Sequence, residues 1–179
     1  MAAAPSACQA VVTSSTDAGM LALWCASTFG DVDGYESWET RVNERLGAAI
    51  SRRTRPVGIQ SDGAFGVRAA VAPDGLTERE QRYAIVASEP NLLTVRGGEV
   101  CLSGIENVGS PEHATLRMPL MDGRYTVHVT LVGWDEEPGG ANPDGTPTES
   151  ALADFVVAIA PARGSETYRD KEATFDRPG

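Results

Sequence analysis

The chain has 179 residues, enough for one well-buried core, and its 41% hydrophobic and 22% charged residues argue against global disorder. A formal net charge of -10 argues against nucleic-acid binding, since phosphate contacts need a basic face, and suits a partner that is itself basic. Lys171 is the sole lysine, and this arginine bias with many Ala, Gly, Pro and Asp resembles the usage of high-GC bacteria.

The first residues, "MAAAPSACQAVVTSS", have no basic segment and an apolar run broken by Pro5, Ser6 and Gln9, so no secretory signal is expected. No apolar run is long enough to span a bilayer. Three cysteines, Cys8, Cys25 and Cys101, without pairing spacing predict reduced thiols and a cytoplasmic protein. "ACQAVVTS" and "GMLALWCAST" read as strands. In the second, Leu21, Leu23 and Cys25 share one face and Ala22, Trp24 and Ala26 the other, so a central strand is predicted. "FGDVDG" is turn chemistry. "YESWETRVNERLGAAI" switches to helical spacing, with Trp38, Val42, Leu46, Ala49 and Ile50 on one stripe.

The remainder reads mostly as strand. "PVGIQ" and "AFGVRAAVA" flank "SDG", expected to be a hairpin loop. Thr77 and Glu80 have capping-box spacing for a short helical turn. "RYAIVASE", "NLLTVRG" and "EVCLSG" follow, with Gly97-Gly98 predicting a hairpin between the last two. "ATLRMPL" places Leu116, Met118 and Leu120 on one face. After the turn "MDGR", "YTVHVTLVGW" points Tyr125, Val127, Val129 and Leu131 inward. "ADFVVAIA" is the last strong strand. The expected fold is mainly β: an antiparallel β-sandwich or jelly roll with one helix inserted in the N-terminal half. It is read as a single domain over residues 1–179, with a polar tail from about 163 that Tyr168 and Phe175 pin to the body.

Asp135, Glu136, Glu137, Asp144, Glu149 and Asp154 lie between Arg124 and Arg163 with no further Lys or Arg between those arginines. An EF-hand register anchored on Gly145 puts Gly140 first and Ala151 twelfth, so both essential ligands are missing. "GDVDGYE", with Asp31, Asp33 and Glu36, fails the same register. The acidic segment is therefore read as a long connection between strands and a candidate interaction loop, through Asp135, Glu136, Glu137, Asp144 and Glu149. His113 and His128 have no ligand-spaced partner. Cys25 and Cys101 sit in apolar strands. No nucleophile elbow, P-loop or dinucleotide fingerprint occurs, so no catalytic residue, metal or cofactor is assigned. Arg41, Arg45, Arg52, Arg53 and Arg55 form a basic patch in and after the helix. It is read as a solvated face, or as an anion or acidic-partner surface.

"LLTVRGGEVCLSG", "LRMPLMDGRYTVHVTLVGW" and "ADFVVAIAPA" together resemble a family of small β-rich proteins of high-GC bacteria, with Gly123, Tyr125, Val127, Val129 and Pro161 as landmarks. That family is similar in turn to the competence-associated nuclease inhibitors and to toxin-immunity proteins. The resemblance implies a β fold and carries no catalytic assignment. The expected function is a non-enzymatic acidic module that binds a protein partner, as an inhibitor or immunity factor. Two other readings stay open. One is a small-molecule or metal-binding sandwich, perhaps enzymatic, with its site in the 133–154 loop. The other is a self-assembling protein whose basic patch meets the acidic loop of another copy.

Overall fold

The computed structural model describes residues 8–29, 36–40, 54–58, 62–72, 75–168 and 173–175, with the backbone alone at Cys8, residues 54–58, Ala173 and Thr174. The strands are β1 (Cys8–Thr16), β2 (Met20–Trp24), β3 (Thr54–Gly58), β4 (Gly63–Val71), β5 (Ala84–Ala87) and β6 (Asn91–Val95). They continue with β7 (Glu99–Gly104), β8 (Leu116–Pro119), β9 (Gly123–Val132), β10 (Phe155–Pro161) and β11 (Ala173–Thr174). Residues 36–40 are helical (α1), within the segment where helical spacing was read. A second short helix, α2 (Glu78–Arg82), opens on a complete capping box between Thr77 and Glu80. Among the described residues no helix is long and apolar enough to cross a membrane.

The strands form two sheets, a β-sandwich without barrel closure. One sheet runs β1-β4-β10-β9-β5, with β6 also on β9, and the other runs β11-β3-β2-β7-β8. Pairing is mostly antiparallel, but β10 runs parallel to β4 and β11 parallel to β3. The core lies between the sheets because each facing strand alternates. Leu21 and Leu23 on β2, Val100 and Leu102 on β7 and Met118 on β8 meet Val67 on β4, Val127, Val129 and Leu131 on β9, and Phe155 and Val157 on β10. The opposite face of β2 is buried too. Ala22 and Trp24 pack with Phe29, Cys101, Ile105 and Val108, and Trp38 from α1 rests against them. Both apolar faces of β2 are thus used, as expected of a strand flanked by β3 and β7. The tail returns to the body. Phe175 is buried with its ring 5.8 Å from that of Phe155, and the Tyr168 hydroxyl lies 3.2 Å from Thr126 Oγ1.

Two expected hairpins are corrected. β3 and β4 lie in different sheets, so the "SDG" segment does not join paired strands. The same holds for Gly97-Gly98. Both glycines have the positive φ expected of them (81° and 74°), but β6 pairs with β9 whereas β7 pairs with β2 and β8. The turn is an arch from one sheet to the other. Its Gly98 N–H donates to Asp122 Oδ1 at 2.8 Å, and Gly98 O accepts from Leu120 N at 2.9 Å, which ties it to the β8–β9 arch instead.

Candidate functional site

Arg68 interrupts the apolar run of β4 and is 7% exposed, so its charge needs a partner. Glu80 supplies it. The carboxylate accepts from Arg68 Nε and Nη2, and Nη2 also donates to the Gly75 carbonyl. The same carboxylate accepts from the Thr77 N–H at 2.7 Å and the Thr77 hydroxyl at 2.9 Å, so one residue closes the capping box and the buried ion pair. Burial alone would raise the Glu80 carboxyl, but the hydrogen bonds from Arg68 and Thr77 outweigh it and hold the group below its ordinary value. This fixes α2 on the outer face of the six-stranded sheet.

From α2, Arg79 reaches the acidic connection. Its Nε and Nη2 each donate at 2.6 Å to the two Glu137 oxygens, and Nη2 donates to the Ser150 carbonyl at 2.6 Å. At the base of the connection, Trp134 is 8% exposed and donates its indole N–H to Asp154 Oδ1 at 2.9 Å. Asp154 Oδ2 accepts from the Gly66 N–H of β4 at 2.8 Å. The intervening chain folds on itself. Ala141 and Pro147 form an isolated bridge, and Thr148 N donates to Gly140 O at 2.9 Å. A Cβ at Gly140 would run into the Trp134 carbonyl oxygen, so glycine is required by that close approach. Asp144 closes a small turn, accepting from the Thr146 N–H at 3.0 Å and hydroxyl at 2.6 Å.

The connection is therefore ordered against the sandwich. Asp135, Glu136, Asp144 and Glu149 are exposed on it, while Glu137 is half-buried in its ion pair. The hydrogen bonds from Arg79 hold the Glu137 carboxyl below its ordinary value, and those from Thr146 do the same for Asp144. Asp154, one more carboxylate of an acidic segment in the sequence, is instead a strut between β4 and Trp134. Arg68 and Arg79 belong to the same framework. Arg68 was detectable as a charge inside an apolar strand, whereas nothing local marks Arg79 as the partner of Glu137.

The other sequence candidates separate. Arg41, Arg45, Arg52 and Arg53 lie outside the described residues, as do Asp31 and Asp33, and Arg55 lies on β3 with its backbone alone described. His113 and His128 are exposed at separate places, and His128 Nδ1 is 3.5 Å from the Ser88 carbonyl. Cys25 and Cys101 are buried free thiols. Burial, reinforced by the Glu99 charge, pushes the Cys101 thiol up to about 11, against nucleophilic use. Among the described residues, no three His, Cys, Asp or Glu side chains are grouped to hold a metal. A cavity of about 20 Å³ lies inside the core, lined by apolar residues that include Leu23, Val127 and Phe155, and is scarcely larger than a water site.

Fold and site together describe a β-sandwich with an ordered acidic connection on it. Among solved structures, the chain is similar to one titled "Crocagin biosynthetic gene J", at 15% identity and a TM-score of 0.55, over 88% of this chain and 98% of that one. It is also similar to ComJ of Bacillus subtilis, titled an inhibitor of the DNA degrading activity of NucA, at 7% identity and a TM-score of 0.53, over 86% and 96% of the two chains. At such identities both are likenesses of fold, and they are distant. No protein-family model and no curated protein sequence matches the chain.

Proposed function

We propose that the protein is a non-enzymatic module of the inhibitor or immunity type, which uses the acidic 133–154 connection to bind a basic protein. The observation that carries this reading is the fixing of that connection by Arg79–Glu137 and Trp134–Asp154, with Glu136, Asp144 and Glu149 left exposed. A carboxylate array already held in place loses little entropy on binding, and its potential steers a basic partner into encounter. The fold shared with ComJ, itself described as a nuclease inhibitor, is further support. Carboxylates on a rigid surface can stand in for the phosphates that a basic nuclease recognises.

The test is affinity capture at low salt with the wild-type chain and with Glu136→Gln/Glu149→Gln, two exposed positions. The wild type is expected to retain a basic protein in stoichiometric amount, and the variant to lose most of it. Equal recovery by both chains, or no stoichiometric protein with the wild type, would overturn the proposal.

A further inference from the structure

The described sheet edges are not alike. The β8 edge is four residues long, ends in Pro119, and carries Arg117 bonded to Glu99. β5 has four residues and a register shift against β9, β6 beside it on β9 has five, four of them buried, and β11 has two. These are ordinary protections against stray strand pairing. β1 has none of them. It is nine residues long, "CQAVVTSST", with no charge and no proline, and among the described residues it ends the sheet with β4 on one side only. Alternate residues of β1 direct their N–H and C=O groups away from β4. On its outer face Val11 is 65% exposed, beside exposed Gln9, Thr13 and Ser15.

We propose that β1 is a self-association edge, which pairs antiparallel with β1 of a second copy across a twofold axis at Val12. Two arguments select a second copy. Pairing about Val12 sets Val11 against Thr13, Ala10 against Ser14, Gln9 against Ser15 and Cys8 against Thr16, so every pair is neutral and both sheet faces continue without a slip. In addition, each copy carries a net charge of -10, and β1 itself has no carboxylate to oppose a second copy, while Glu106 accepts from Thr16 at the strand's end. A basic partner would draw nothing from such a strand. The dimer joins two six-stranded sheets edge to edge and leaves the acidic connection of each copy on its own scaffold. Because the opposing force is like-charge repulsion, the dimer tightens as salt rises, the reverse of an association built on ion pairs.

The test is sedimentation equilibrium of the full chain over a range of protein and sodium chloride concentrations. A monomer–dimer equilibrium that strengthens with salt is expected. Val11→Glu should weaken it roughly tenfold, by repulsion across the axis and loss of the Val11–Thr13 contacts. Val11→Glu with Thr13→Lys should restore it, since each of the two symmetry-related pairs then sets a carboxylate against an ammonium. Both side chains face solvent, so unchanged melting curves will show that the variants fold. A monomer under all conditions, a dimer that loosens with salt, indifference to Val11→Glu, or a double variant no tighter than the single would each overturn the proposal.

Discussion

The Trp134 indole nitrogen lies 2.9 Å from Asp154 Oδ1, and this contact closes the base of the acidic connection. Trp134 follows the end of β9 and Asp154 precedes β10, so the bond spans the two ends of the segment it encloses. The other Asp154 oxygen accepts from Gly66, which extends the clasp to β4. Asp154→Ala leaves two N–H donors without that acceptor and is expected to cost about 2 kcal/mol of folding stability. Urea denaturation measures the loss, and a red shift of tryptophan emission should accompany it. A variant as stable as wild type would remove the clasp from the account.

Arg68 and Glu80 make the strongest buried contact of the framework. Glu80→Gln strands the Arg68 guanidinium on the sheet and is expected to destabilise the fold by about 3 kcal/mol. Replacing both partners with apolar residues, Arg68→Met and Glu80→Leu, should recover most of that loss, because no unpaired charge stays buried. Thermal melts of the two variants make the comparison.

Acid should act through the same kind of group. Glu166 accepts from the Arg163 N–H at 2.8 Å and the Thr126 hydroxyl at 3.2 Å. The backbone bond from Arg163 is the largest influence that brings its carboxyl down to about 2, from an ordinary 4.5. A carboxyl lowered in the folded state contributes stability that is whole above the ordinary value and lost as pH falls through the folded one. The melting temperature should therefore drop between pH 4.5 and about 2. It should drop less steeply in Glu166→Gln, and parallel curves would contradict the assignment. The lowered Glu80 carboxyl adds to the acid loss in the same direction.

Arg79 sits at the surface, with 48% of its side chain exposed, so Arg79→Ala should change global stability by less than about 1 kcal/mol. Its effect is local. Amide exchange across residues 138–150 should accelerate, while the core strands β9 and β10 exchange as before.

Sequence and structure agree where the information is local. The two apolar faces of β2, the inward row of Tyr125, Val127, Val129 and Leu131, and the Thr77–Glu80 box are each set by spacing within a few residues, and each stands in the fold. The Gly97-Gly98 hairpin failed for the complementary reason. Glycines at positive φ fix a turn, but which strands then pair is decided by burial between sheets, a relation among residues far apart in the chain. The acidic segment divides in the same way. Its long connection between two strands was legible, but Arg79, which orders it, lies too far away in the chain to be found by spacing. Asp154 reads in sequence as one carboxylate among several, and only its neighbours Trp134 and Gly66 make it a strut.

Amide hydrogen exchange on the complex with the captured basic partner, against the free chain, tests the central claim most directly. The account predicts protection concentrated in residues 135–149, with the outer strands unchanged. Protection elsewhere, with that segment exchanging as in the free chain, would contradict it.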